Sequence, residues 1–177
     1  DDIERIRVVN PDGAHSIAVG VDATVKIDIE GNAGYYAAGM NKQAQVTIHG
    51  NAGPGVAEGM SSGPVQVKGF ASTAAGAAAH GGLLVIDGDA SLRCGISMKG
   101  IDIVVGGSVG DYSAFMAQAG RILVCGDAGG ALRMADVRFE RADGARAIDA
   151  VPGEHLRECL DLDRVFFERP EETLGVL

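Results

Sequence analysis

The chain has 177 residues and a formal net charge of -9; that length suits one domain with a real core, and the acidic balance speaks against nucleic acid or an anionic membrane as the main partner, since both need basic patches. Glycine reaches 27 residues while tryptophan is absent, aromatics are 5% and hydrophobic residues 46%, so the backbone turns often, yet neither a disordered low-complexity chain nor a collagen triplet fits. No run approaches about eighteen continuous apolar residues, and the opening DDIERIRVV lacks the basic and apolar parts of a secretory leader, so a cytoplasmic protein is expected.

In chain order, the first element is IRVVNPDGAHSIAVG, where alternating apolar residues lead into Pro11, Asp12 and Gly13. It reads as an imperfect first coil or cap. Six short apolar strands follow: VKIDIEG, AQVTIHG, PVQVKG, LLVIDG, DIVVGG and RILVCG. Each ends on glycine, at Gly31, Gly50, Gly69, Gly88, Gly107 and Gly126, and the step from one to the next is nineteen every time. A fixed period of this size is the signature of a stacked repeat.

The columns of the repeat carry its physics. Two residues before each anchor glycine stand Ile29, Ile48, Val67, Ile86, Val105 and Val124; four before it stand Ile27, Val46, Val65, Leu84, Ile103 and Ile122. Residues two apart on a strand share a face, so these columns define the inside. Two residues after the anchor come Ala33, Ala52, Ala71, Ala90, Val109 and Ala128, which implies a corner with little room. Glycine at that corner suggests a positive φ. The next position is Asn32, Asn51, Asp89, Ser108 or Asp127 in five of the six coils, side chains that bond nearby backbone in turns.

One strand per repeat with small residues at each corner describes a single-stranded parallel β-helix, an all-β solenoid of about 19 residues per coil. Six coils would stand on the order of 29 Å tall at roughly 4.8 Å each. The period is not a multiple of six, unlike the left-handed hexapeptide helix, and the helical segments of an ordinary α/β domain are missing. The solenoid is expected over residues 1–135. Residues 136–177 abandon the repeat and hold 11 of the 24 acidic residues with six Arg. There Pro152 precedes Leu156, Cys159, Leu160 and Phe167 at helical spacing, which predicts a short amphipathic helix that caps the open end or docks.

Three residues before each anchor the strands point outward, and this column changes from Asp28, Thr47 and Gln66 to Val85, Val104 and Leu123. Three stacked aliphatic residues should not stay wet, so Val85, Val104 and Leu123 form a candidate interface, covered by the tail or by a partner subunit. The exposure of Val104 in the assembled protein tests that expectation.

No catalytic, cofactor or metal site is expected in this chain. His15, His49, His80 and His155 make no metal-ligand spacing with one another, and Cys94, Cys125 and Cys159 form no metal-binding pair or disulfide framework. His80 is the better candidate for a base, on the analogy of solenoid acyltransferases. Cys94 stands between Arg93 and Lys99, which could lower its pKa, although a corner position favours packing. The runs GNAG, GNAGPG and GDAGG lack the Lys-Ser or Lys-Thr of a phosphate loop and lead into no helix.

The segments NPDGAHSIAVG from Asn10, GYYAAGMNKQAQVTIHGNAGPGVAEGM from Gly34, HGGLLVIDGDASLRCGISMKGIDIVVGGSVG from His80 and SAFMAQAGRILVCGDAG from Ser113 together resemble the GXGXG family. This is the β-helix that closes the large chain of glutamate synthase and also forms one of the subunits of formylmethanofuran dehydrogenases; within the family the likeness is closest to the small β-helix subunit of N-methylglutamate synthase. The resemblance spans Glu4 to Gly130 and implies a right-handed coil. It also implies a non-catalytic structural subunit of a heteromeric enzyme of one-carbon amine metabolism. An amidotransferase-like partner and a synthase partner carrying FMN and an iron–sulfur cluster would then do the chemistry. The alternatives are a subunit of a formylmethanofuran-dehydrogenase-like complex and a stand-alone solenoid acyltransferase using His80.

Overall fold

The computed structural model describes residues 3–129 and the backbone of 138–140. Eight strands form one sheet in sequence order: β1 (Arg5–Val9), β2 (Lys26–Glu30), β3 (Gln45–Ile48), β4 (Pro64–Val67), β5 (Leu83–Ile86), β6 (Lys99–Val105), β7 (Ala119–Val124) and β8 (Arg138–Glu140). Every neighbouring pair is parallel. The result is a parallel β-solenoid of about six turns, with no helix among the described residues.

Register follows the sequence period. Ile27 pairs with Val46, Val46 with Val65, Val65 with Leu84, Leu84 with Ile103, and Ile103 with Ile122, each one full period on. Departures come at the start of β6, where Lys99 pairs with Ala119 one residue beyond the period, and at the two ends. Arg5 pairs with Lys26, so the first coil is longer than the period by two, and Arg121 pairs with Arg138, so the last is shorter by two. The last strand therefore stacks on the sheet from within 136–177, while the helix expected after Pro152 lies outside the described residues.

Both inward columns are buried along the whole rod from Ile27 and Ile29 to Ile122 and Val124. A fully buried aliphatic side chain of this size contributes about 1.5–3 kcal/mol relative to an exposed one. Stacking places each beside its equivalent one coil away, so no coil completes its core alone. The small-residue corner is a second ladder, in which Ala33, Ala52, Ala71, Ala90, Val109 and Ala128 form successive parallel bridges.

The anchor glycines serve a different purpose from the one their position suggests. Only Gly31 among the six has a positive φ, of 140°. At four of the others the coil below lies too close for a side chain: a Cβ on Gly50 would stand 2.6 Å from the Gly31 carbonyl carbon, and one on Gly126 would stand 2.6 Å from Ser108 Oγ. The polar residues after the anchors likewise reach one coil onward and not into their own turn. Asn32 Oδ1 accepts from Asn51 N at 2.9 Å, Asp89 Oδ1 from Ser108 N at 2.8 Å, and Ser108 Oγ from Asp127 N at 2.9 Å.

A third wall closes each coil and is neither strand nor helix. Positive φ recurs there at every second residue: Tyr36, Ala38 and Met40; Gly55, Ala57 and Gly59; Ala74, Gly76 and Ala78; Arg93, Gly95 and Ser97; Tyr112, Ala114 and Met116. An L-residue in the left-handed region costs about 1–2 kcal/mol. Hydrogen bonds between coils hold the geometry: Ala57 N donates to Ala37 O of the preceding coil, and Gly59 N to Ala77 O of the next. Left unpaired in this packed wall, such groups would cost more than the strain does. Ala38, Ala57 and Ala114 point into the core, where Val56, Met60 and Met98 fill the remaining space.

Candidate interaction faces

The outward file of the sheet runs Asp28, Thr47, Gln66, Val85, Val104, Leu123 in register. Its lower half is polar and internally paired. Arg5 Nε donates to Asp28 Oδ2 at 2.8 Å, His49 Nε2 lies 3.1 Å from Asp28 Oδ1, and Arg7 Nε donates to Glu30 Oε1 at 2.9 Å. Partial burial pushes the Asp28 carboxyl up, but hydrogen bonds from His49 and Arg5 outweigh it and hold the group below its ordinary 3.8. Arg5, Asp28 and His49, with Lys26, Gln45 and Lys68, border a shallow groove of about 330 Å³. Gln66 lies at its inner edge, 1% exposed; its Nε2 donates to Asp87 Oδ1 at 3.0 Å, while its Oε1 has no partner.

The upper half of the file is apolar. Val85 is 1% and Val104 8% exposed, with Leu83 and Leu123 packed against them.

Sequence reasoning did not single out the other conspicuous surface, the solvent side of the turn wall. At its lower end Tyr35, Tyr36 and Met40 are exposed, and at its upper end Tyr112, Phe115 and Met116. Tyr35 stacks on His15 with ring centroids 4.4 Å apart, and Tyr36 meets Tyr35 edge-on; Tyr112 and Phe115 form a similar edge-on pair at 6.0 Å. The signal was available: Tyr36 and Tyr112 occupy one repeat column, as do Met40 and Met116, and the members of each pair stand four coils apart.

The individual candidates are dispersed. His80 is exposed, on a corner where its N–H donates to Met60 O. Cys94 is fully buried, and burial pushes its thiol up to about 12, so Arg93 and Lys99 do not activate it. His155 and Cys159 lie outside the described residues. Among the described residues no group of three or more His, Cys, Asp or Glu side chains could hold a metal ion, and no helix is long and apolar enough to cross a membrane.

Fold and faces together define a class: a parallel β-solenoid of 19-residue coils with a side-chain-filled interior, its chemistry displayed on its walls. No family model and no solved structure matches the chain. Over 31 residues it is 61% identical to Protein GlxC of Rhizobium meliloti (strain 1021), a stretch covering 18% of this chain and 14% of that protein. The matched length exceeds one coil and falls short of two, and the chain thus aligns with only a small part of that relative.

Proposed function

We propose that this chain is a non-catalytic structural subunit of a heteromeric glutamate-synthase-like enzyme, and more narrowly of N-methylglutamate synthase. In that reading it joins an amidotransferase-like subunit to a synthase subunit that carries FMN and an iron–sulfur cluster, and the complex exchanges the amine of glutamate for methylamine, giving N-methylglutamate and ammonia. The observation that supports the reading best is where the family-like segments fall. They occupy consecutive coils of one solenoid, whose strands β2 to β7 stack in parallel at the 19-residue period apart from one shift at the start of β6. A rod of this kind acts through its surface, and aromatic side chains such as Tyr35, Tyr36, Tyr112 and Phe115 are enriched at protein interfaces.

Purification of the tagged full-length chain from its native cells tests the proposal. A flavin- and iron–sulfur-containing protein and an amidotransferase-like protein should co-elute, and the complex should form N-methylglutamate from glutamate and methylamine only when this chain is present. Elution without a flavoprotein overturns the proposal. A partner carrying a molybdenum or tungsten pterin also overturns it, in favour of the formylmethanofuran-dehydrogenase-like alternative.

A further inference from the structure

The solvent side of the turn wall carries its large residues at the two ends and its small ones in the middle. Along one column it reads Tyr36, Gly55, Ala74, Arg93, Tyr112, and along another Met40, Gly59, Ala78, Ser97, Met116. The ends of each column are four coils apart, about 19 Å, and Ala74 and Ala78 mark the centre. Tyr36, Met40, Arg93, Tyr112 and Met116 are all exposed.

One coil below the centre, a receptor for a cation is assembled. A Cβ on Gly55 would stand 2.7 Å from Tyr36 Cδ1 and 2.8 Å from Glu58 Oε2, so an aromatic ring and a carboxylate converge over the bare glycine. A guanidinium set there meets a ring and an opposite charge together. One coil above the centre, in the same column, stands Arg93. Among the described residues neither its guanidinium nor the Glu58 carboxylate has a hydrogen-bond or ion-pair partner.

We infer that the wall is a self-complementary contact at which a second copy of this chain docks, with Arg93 of each copy set over Gly55 of the other, beside Tyr36 and Glu58. A two-fold axis lying across the wall at the Ala74 coil makes each column face itself in reverse. Under that operation Arg93 faces Gly55, Tyr112 faces Tyr36, and Met116 faces Met40. The neighbouring columns agree, because Phe115 faces Gly39 and Leu92, which is 48% exposed, faces Pro54. At the centre Ala74, Ala77 and Ala78 are small enough to meet their own copies closely. Charge placement favours a second copy over an unrelated partner, since the acid and the base without partners lie equally far from the centre, one coil to either side. A two-fold repeats every contact, so surface pairs that are weak singly act twice. The inference does not rest on the enzyme assignment proposed above.

Sedimentation of the full-length chain from micromolar to submillimolar concentration tests it, and should show a reversible dimer. Glu58→Arg or Arg93→Glu alone sets like charges together at two equivalent points and should raise the dissociation constant at least tenfold, whereas the double exchange should return it to within about threefold of the parent. If a single exchange alters the circular dichroism, Glu58→Gln and Arg93→Gln replace the pair, each expected to weaken the dimer about threefold. In a second arm, p-benzoylphenylalanine in place of Met40, irradiated in the chain's native cells, should join that position to the Met116 peptide of a second copy. A parent that stays monomeric overturns the inference, as does a dimer indifferent to the charge changes or single exchanges that the double does not rescue. Adducts from position 40 to a different protein overturn it too, and assign the wall to a hetero-partner.

Discussion

Asn51 Oδ1 accepts a hydrogen bond from Phe70 N at 3.0 Å, and it occupies the space that a Cβ on Gly69 would need. The two residues are thus one device: the absence of a side chain at the anchor lets the amide of the coil below rise into the corner and cap the next backbone N–H. Anchor and polar residue recur together in the 19-residue pattern because each makes room for or satisfies the other.

This coupling gives graded expectations. Gly69→Ala should cost about 2–3 kcal/mol, as overpacking against a fixed neighbour does, and Asn51→Ala about 1 kcal/mol for the lost hydrogen bond. In the double variant the new methyl no longer meets the amide, so the combined loss should fall about 1 kcal/mol short of the sum. Gly88 is the internal control. Phe70 stands below it where other coils have Asn, Asp or Ser, and the nearest atom to a Cβ there is Gly69 O at 3.0 Å; Gly88→Ala should therefore be the milder change. Urea midpoints of the four variants would measure the ordering, and equal losses at Gly69 and Gly88 would refute it.

The turn wall predicts an unusual response to glycine. Ala52 and Ala57 are both buried alanines, 1% and 0% exposed, but Ala57 has φ of 57° and Ala52 is not left-handed. Replacing either by glycine removes a buried methyl and loosens the unfolded chain, whereas only Ala57→Gly also relieves left-handed strain, about 1–2 kcal/mol. Ala57→Gly should accordingly be less destabilising than Ala52→Gly by at least about 1 kcal/mol. Thermal or urea unfolding of the pair would show it, and the reverse order would mean that the wall holds Ala57 without strain.

Those two comparisons mark where the sequence was legible. Inward columns such as Ile48, Val67 and Ile86 could be read because stacking repeats one environment once per coil, and strand alternation sorts the faces. The turn wall was not legible, because Tyr36, Arg93 and Met116 have no intrinsic preference for positive φ. Their conformation is imposed by hydrogen bonds to the next coil, as when Tyr36 N donates to Pro54 O and Arg93 N to Asp111 O. For Asn32 and Asn51 the residue type was informative and the partner was not, because a hydrogen bond to the next coil replaces the local one expected of a turn.

Acid should act on the lower outer face through Asp28. Burial raises its carboxyl, yet hydrogen bonds from His49 and Arg5 prevail and the net shift is downward from 3.8. A carboxylate whose pKa is lower when folded than when unfolded binds fewer protons in the native state. Its stabilisation is therefore full above the unfolded value and disappears as pH falls through the folded one. At neutral pH, Asp28→Asn should weaken the protein by removing the charge that Arg5 and His49 address. As the solution is taken below the ordinary carboxylate range, the difference between variant and parent should shrink. Chemical unfolding at several pH values between about 2 and 7 would follow the convergence, set by the reference carboxylate near 3.9. A gap that persists unchanged at the acid end would show that Asp28 contributes through shape and hydrogen bonding alone, and not through its charge.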